Sequence, residues 1–597
     1  MGCRRSEVKG RSRLDAGKSF RGLIIKNLSR IKDNSYGGYL CALGLLVMAA
    51  FACSVFLWQA ETPAASGDAI SGQVLDEHGP VAGANVRIQG DKKTVLTDKS
   101  GNFLLSGLPV GAKVNISAWK DGYYCALQEN VTHPKKGIQL KLIRYQLGDN
   151  KAYEWLPPEG IKNACVDCHN PAIIAMSLQD PHLKAAANPR FLTMYYGTDT
   201  QGNQSSRTRY DKGRGVWKHL VVPWPPDPAQ PYYGPGYQLD FPGTTGNCTA
   251  CHIPGAALSR PVDPRTVKGA DKYGVHCDFC HKIADTKMDP VTRMPFLRFP
   301  GVHSLDIRRP FTNDKERPQL FFGTFADDNV PTEDTNLPLL RESQYCAPCH
   351  YGVFWSTVVY NSYGEWLKSP YADPKSGKAK TCQECHMPSP TIYKGKAITN
   401  VAPGKGGIER DPAAIHNHNM TVDTELLRNS LTMDASARMQ NGKVVVDVTL
   451  TNDKTGHHIP TDSPLRHLIL LVEAKDSRGR VLKQVVGPKL PEWCGVGKAK
   501  KGHYGGLPGK AYAKLLKEKW TEVFPTGAYW NHTELVSDNR LAAFATDAST
   551  YAFTPPADGG KAAITVTLLH RRAFINLMEQ KKWDVPDIVM ARRQFLF

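Results

Sequence analysis

Three kinds of patterning follow one another along the chain. From residue 69 to 146, short runs alternate apolar and polar positions with a period of two, as in ISGQVLDEHG, ANVRIQG, KTVLTDKSGNFLLSGLP, KVNISAWKDGYY and GIQLKLIRY. Gly, Asp and Pro turns interrupt them about every ten residues, which predicts a small β-sandwich. From 147 to 424 neither a helical nor a strand period is sustained, and a mostly irregular and α region is expected there. From 425 onward the strand period returns. Val444, Val446, Val448 and Leu450 fall on one face of KVVVDVTLTN, HLILLVEAKD follows, and Ile564, Val566 and Leu568 alternate in AAITVTLLH. This predicts a second sandwich over 425–597, with an insertion around 488–539 and a helical tail near 572–580.

One stretch stands outside these patterns. Residues 37–58 are 22 residues without a charge, long enough to cross a bilayer as a helix. Residues 1–36 carry ten Lys/Arg against three Asp/Glu. The positive-inside rule therefore keeps 1–36 in the cytoplasm as a basic tail and exports everything beyond residue 60. The expected organisation is multidomain: the tail (1–36), a single-pass transmembrane helix (37–60), a small-polar linker (61–68), the first sandwich (69–146), the irregular/α core (147–424) and the second sandwich (425–597). A cleaved signal peptide and a lipoprotein attached through Cys53 are the weaker readings. The apolar run is long, no clean small-x-small site follows it, and Ala50, Phe51 and Ala52 make a poor lipobox.

The irregular region carries the chemistry. It contains five Cys-x-x-Cys-His motifs: Cys165, Cys168 and His169; Cys248, Cys251 and His252; Cys277, Cys280 and His281; Cys346, Cys349 and His350; Cys382, Cys385 and His386. Two thiols at this spacing add to the two vinyl groups of one porphyrin, and the adjacent histidine reaches the iron as proximal ligand. Structural zinc or a redox dithiol can explain one Cys-x-x-Cys. Neither requires a histidine directly after the second cysteine five times over. The cofactors expected are five covalently bound haem c. The motifs use ten of the fifteen cysteines, which leaves few for a disulfide framework, and Cys125 and Cys494 fall in different sandwiches.

The formal net charge is +19. Part of it belongs to the tail, and each haem offsets roughly one to two more charges through its propionates and ring. No basic-aromatic patch marks nucleic acid as a partner.

Two resemblances extend this reading. TDKSGNFLLSGLP, preceded by PVAGANVRI, resembles the carboxypeptidase regulatory-like domain, a transthyretin-like sandwich. That resemblance implies a spacer or docking role, and His78 and His133 within it are expected at the surface rather than on iron. HLKAAANPRF, YGVHCDFCHK, FFGTFADD, YCAPCHYGVFW, EWLKSPYA, TCQECHM and NDKTGHHIPTDSPLR together resemble multihaem cytochromes c with a C-terminal immunoglobulin-like domain. Their haem core is similar to the tetrahaem cytochrome and hydroxylamine oxidoreductase group. The resemblance covers about 160–597 and implies stacked bis-histidine haems.

Bis-histidine ligation needs five histidines beyond the motifs, and eight are within reach. His182, His276, His416, His418, His457 and His458 are the distal candidates, with His219 and His303 weaker ones. His276 directly precedes Cys277, so it is expected to serve a neighbouring haem rather than its own. In TGHHIPT, His457 and His458 project in different directions, and one of them reaches iron.

The expected function is an electron-transfer protein rather than an enzyme. It would be an exported, membrane-anchored pentahaem cytochrome, with its bulk on the periplasmic or extracellular side. Its partners would be a membrane donor and an outer acceptor protein. The alternatives are a reductase or oxidase of small nitrogen or sulfur compounds with one open haem, or a structural subunit of an oligomeric or filamentous cytochrome assembly.

Overall fold

The computed structural model describes residues 68–596 apart from 209–225, 312–318, 328–329, 331–332 and 422–423. The basic tail, the uncharged run and His219 lie outside the described residues. Among the described residues, no helix is long and apolar enough to cross a membrane.

The alternating runs at the start of the described chain form two four-stranded sheets. In one, Ala69–Asp76 lies between Gly79–Pro80 and Asn102–Ser106 and also takes Lys135–Lys141 in parallel. The other runs Thr94–Leu96, Asn85–Ile88, Lys113–Trp119, Ala126–Thr132. Period-two alternation sends Phe103 and Leu105 inward from an otherwise exposed strand. They join Ile70, Val74, Val86, Ile116 and Leu140 in one core. The turn before that strand needs a glycine. Gly101 has φ 74°, and a Cβ there would lie 2.6 Å from the Val74 carbonyl oxygen. His78 is exposed, but His133 is not: it is 1 % exposed. The expectation for His133 is corrected by its backbone, which pairs with Ala112 and Gly111 (both 2.8 Å) and draws the ring under the 109–112 loop.

The sandwich is fastened to the motif region by polar contacts. Thr335 Oγ1 donates to the Tyr123 carbonyl (2.6 Å) and accepts from Trp119 Nε1 (3.1 Å). The Gly90 N–H donates to Asp327 (2.6 Å), which also pairs with Arg410 in a buried ion pair (2.9 Å).

Between the two sandwiches in sequence, short helices and long loops alternate with four two-stranded sheets among the described residues, so this region is less purely irregular and α than expected. Helices cover Cys165–Cys168, Thr249–His252, Cys277–Cys280 and Cys382–His386, and a 3-10 turn, Ser343–Tyr345, leads into Cys346. Side-chain caps start several helices of this region. A capping box between Thr381 and Glu384 starts Cys382–His386. Asn188 accepts from the N–H groups of Arg190 and Phe191 to start Pro189–Tyr196, and Gly197 in the left-handed region ends it. These elements do not enclose an apolar core of ordinary size. They surround a cavity of about 2960 Å3.

The C-terminal part is a sandwich of a four-stranded and a five-stranded sheet. The first runs Thr432–Gln440, Lys443–Thr451, Thr546–Phe553, Gln484–Val486. The second runs Thr533–Asp538, Gly509–Glu518, His467–Asp476, Ala562–Arg571, Ile588–Leu596. Val444, Val446, Val448 and Leu450 meet Ile564, Val566 and Leu568 in its core. His467–Asp476 is buried on both faces, which explains its unbroken apolar run. Leu468, Leu470 and Val472 face the other sheet, while Ile469 and Leu471 are covered by Leu490 and Cys494.

Two expectations change here. Part of the presumed insertion, Gly509–Glu518 and Thr533–Asp538, belongs to the second sheet. The helix near the end is Ile575–Lys581, and a strand rather than the helix closes the domain.

Candidate functional site

All ten motif cysteines and all five motif histidines line this cavity. Its volume is several times the roughly 300–1,000 Å3 of a single small-molecule pocket. Protein interiors are otherwise packed with few voids larger than a water molecule. Such a space fits several large prosthetic groups. Among the described residues, no group of three or more His, Cys, Asp or Glu side chains converges as a structural zinc would require.

Three histidine pairs cross this space. His182 and His350 have ring centres 6.2 Å apart, His281 and His418 6.5 Å, and His386 and His457 6.3 Å. In each pair one member is a motif histidine and the other is distant in sequence. A metal held between two imidazoles needs this spacing. About 2.0–2.1 Å per metal–nitrogen bond, the value for zinc, plus about 1.1 Å from nitrogen to the centre of a ring with ~1.33 Å edges, places the ring centres roughly 6.3 Å apart.

The tautomers suit the same role. The Nδ1 atoms of His169, His281, His416, His418 and His457 each lie 2.6–3.2 Å from a backbone carbonyl oxygen, those of Val401, Phe322, Met387, His416 and His458 respectively. A carbonyl oxygen only accepts, so Nδ1 carries the hydrogen and Nε2 keeps a free lone pair. His182 is held the same way by a carboxylate: Asp180 Oδ1 accepts from both its N–H and its Nδ1 (2.8 Å each). Histidines that ligate metals are commonly oriented by such a second hydrogen bond. Burial pushes His252, His386 and His418 each down to about 4, which leaves them neutral at pH 7, as a ligand must be.

The loop carrying His457 is built by Glu365, on the helix Ser362–Leu367. This carboxylate accepts from the His458 N–H (3.2 Å) and the Thr461 hydroxyl, and it pairs with Arg540 (2.9 Å). His458 Nδ1 lies 3.6 Å from it, so His458 turns toward Glu365 while His457 faces His386.

Other predicted residues are placed differently. His276 caps the helix Cys277–Cys280: its Nδ1 accepts from the Phe279 N–H (3.2 Å), and Nε2 lies 3.6 Å from Asp271. This is the opposite tautomer to that of the other six, and both nitrogens are directed at protein groups. His303 sits on the 3-10 turn Gly301–Ser304 and does not line the cavity. His416 lines it and, like His169, neighbours His418.

The motifs neighbour one another in a definite order. The Cys165 and Cys277 thiols interact directly, as do Cys251 with Cys349 and Cys346 with Cys382, while Cys280 lies near Cys346 and Cys349. The first motif thus adjoins the third, the third adjoins the fourth, and the fourth adjoins the second and the fifth.

Sequence reasoning missed Asp180, Glu365 and Asp462, the carboxylate 3.8 Å from His350. Asp180 had a visible signal in the Asp-Pro-His spacing. Glu365 and Asp462 act on residues far away in the chain and had none.

Comparison with known proteins adds the following. Residues 69–140 match the carboxypeptidase regulatory-like domain family. No curated protein matches the chain. Among solved structures, the penta-haem cytochrome c552 from Thermochromatium tepidum aligns with 72% of this chain and 97% of its own, at 17% identity and a TM-score of 0.47. An N-terminal interface mutant of a type II cohesin–X-dockerin complex from Acetivibrio cellulolyticus aligns with 13% of this chain and 59% of its own, at 19% identity and a TM-score of 0.12.

Proposed function

We propose that this chain is a pentahaem c-type cytochrome that relays electrons between a membrane-side donor and an outer acceptor protein. In this reading the apolar run at 37–58 anchors it, and the bulk of the chain stands on the periplasmic or extracellular side.

The observation that carries the reading is the set of three histidine pairs, each joining a motif histidine to a distant one at 6.2–6.5 Å across the cavity. His182 would serve the fourth motif, His418 the third and His457 the fifth. His416, which like His169 neighbours His418 and whose Nδ1 is held by the Met387 carbonyl, would serve the first. The ten cysteines would hold the rings by thioether bonds. One-electron cycling of iron between ferric and ferrous is what such haems supply.

The residues of this chain do the rest. They orient the imidazoles, keep His252, His386 and His418 neutral, and hold the motifs in contact so that each has a neighbour. The carboxypeptidase regulatory-like domain, fastened through Thr335 and Asp327, would act as a spacer or docking module for a partner or a further copy.

The test is electron capacity. Reduced holoprotein should deliver about five electrons per chain, one for each motif, to a soluble one-electron oxidant. Delivery of two or fewer contradicts the relay.

A further inference from the structure

The second motif differs from the third, fourth and fifth. Phe191 lies flat on the His252 ring, 4.2 Å away and 1° from parallel, and among the described residues no histidine ring stands opposite it. Three arginines and a histidine gather beside this motif, together with the Asp462 carboxylate that acts on His252. Arg190 comes from the first turn of Pro189–Tyr196, Arg466 from the turn before His467–Asp476, and His570 and Arg572 from the end of Ala562–Arg571 and the residue after it. All four line the cavity with Cys248, Cys251 and His252. Tyr529 neighbours both Cys248 and Arg466, and so ties the cluster to the motif.

The guanidinium groups act on one another. Burial and then Arg466 hold the Arg190 guanidinium below its usual range, and burial followed by Arg190 and Arg466 does the same to Arg572. His570 is 4 % exposed with no partner for Nδ1, and it is pushed down to about 3 by burial first and then by Arg466 and Arg572. The Arg190 side chain makes no hydrogen bond or ion pair with any described residue. Arg466 reaches the Thr461 carbonyl (3.3 Å) and Asp462 (3.7 Å), but Asp462 is shared with His350 (3.8 Å). Converging guanidinium groups repel strongly away from bulk water. They are stable together when an anion sits among them, and the planar fork of arginine matches the two-oxygen face of a carboxylate or similar oxyanion.

We propose that Arg190 and Arg466, with Arg572 nearby, form an anion site beside the second haem motif that binds a planar two-oxygen face. Resting on the pentahaem reading, the site has two possible sources for that face: a propionate of the haem held there, or a free small oxyanion entering the cavity.

The test uses ferric holoprotein whose haem content has been counted. The variants are Arg190→Gln, Arg466→Gln and Arg466→Lys, with Arg438→Gln on the far sandwich surface as control. Formate and nitrite are titrated against the Soret band and by calorimetry, and the midpoint potentials are recorded. A free-anion site gives saturable binding in the native protein, weakened about 10- to 100-fold in either Gln variant by loss of one charge-assisted contact, partly restored by Arg466→Lys and unchanged in the control. A propionate site gives no response to added anion, but one of the five potentials moves down in either Gln variant, because a positive charge that favoured the ferrous state is gone. No anion binding and no shifted potential, with five haems present, overturns the anion site and leaves the pentahaem reading standing. A haem count of two or fewer in the native protein overturns that reading itself.

Discussion

His386 and His457 face each other with ring centres 6.3 Å apart and planes 17° from parallel, although one belongs to the fifth motif and the other to the C-terminal sandwich. Glu365 makes the arrangement specific by taking the His458 side of the loop. His457→Ala should therefore convert about one haem in five from low to high spin in the ferric spectrum, and His458→Ala should convert none. Equal conversion in both variants would contradict the assignment.

His276 is fully buried, unlike the partly buried distal candidates, and is tied into a helix cap. His276→Ala should leave the ferric spin state unchanged and lower stability by about 0.5–2 kcal/mol, the range for a lost N-cap. His182→Ala and His418→Ala should each produce one high-spin haem. Spectra with denaturation curves on the three variants separate the two roles.

How much of this could be read from the sequence depends on range. The motif cysteines and histidines are local patterns, and so is the alternation of Val444 to Leu450. His467–Asp476 was readable as apolar but not as a central strand, because its second covering layer, Leu490 and Cys494, is distant. Gly509–Glu518 was obscured by Lys510, Lys514 and Lys517: Lys514 is buried yet satisfied by the Val358 carbonyl (2.5 Å). The pairing of His182 with His350, the cap role of His276 and the convergence of Arg190, Arg466 and Arg572 all require the tertiary fold. Adjacency to Cys277 suggested a ligand role for His276, whereas a residue just before a helix is also where a cap sits, and the structure shows His276 as that cap.

Asp327 joins the first sandwich to the motif region, through the Gly90 N–H and the buried Arg410 guanidinium. Asp327→Ala removes the carboxylate from a buried pair and should cost about 3–5 kcal/mol. The exposed pair Lys92–Asp411 spans the same boundary at 2.8 Å. Lys92→Ala should leave the melting curve unchanged, as exposed pairs contribute little. Calorimetry of both variants checks the contrast.

His467 is fully buried, donates from Nδ1 to the Leu465 carbonyl (3.1 Å) and stacks on Phe574. Burial, then Arg571, pushes it down to about 3. The unfolded chain takes up a proton near pH 6.5 that the folded state refuses. Stability is therefore complete above about pH 6.5 and falls on acidification, by up to about 1.4 kcal/mol per pH unit. His570, also pushed down to about 3, acts in the same direction. Urea denaturation between pH 4 and 8 should show a shallower slope in His467→Asn than in the native protein. Parallel slopes would contradict the assignment.

Covalent attachment is the most direct test of the whole arrangement, because each of the five motifs offers two cysteines for one ring. Intact-mass measurement of the holoprotein, with a pyridine haemochrome assay on the same sample, should give about five covalently bound haem c per chain. Two or fewer would contradict the pentahaem reading.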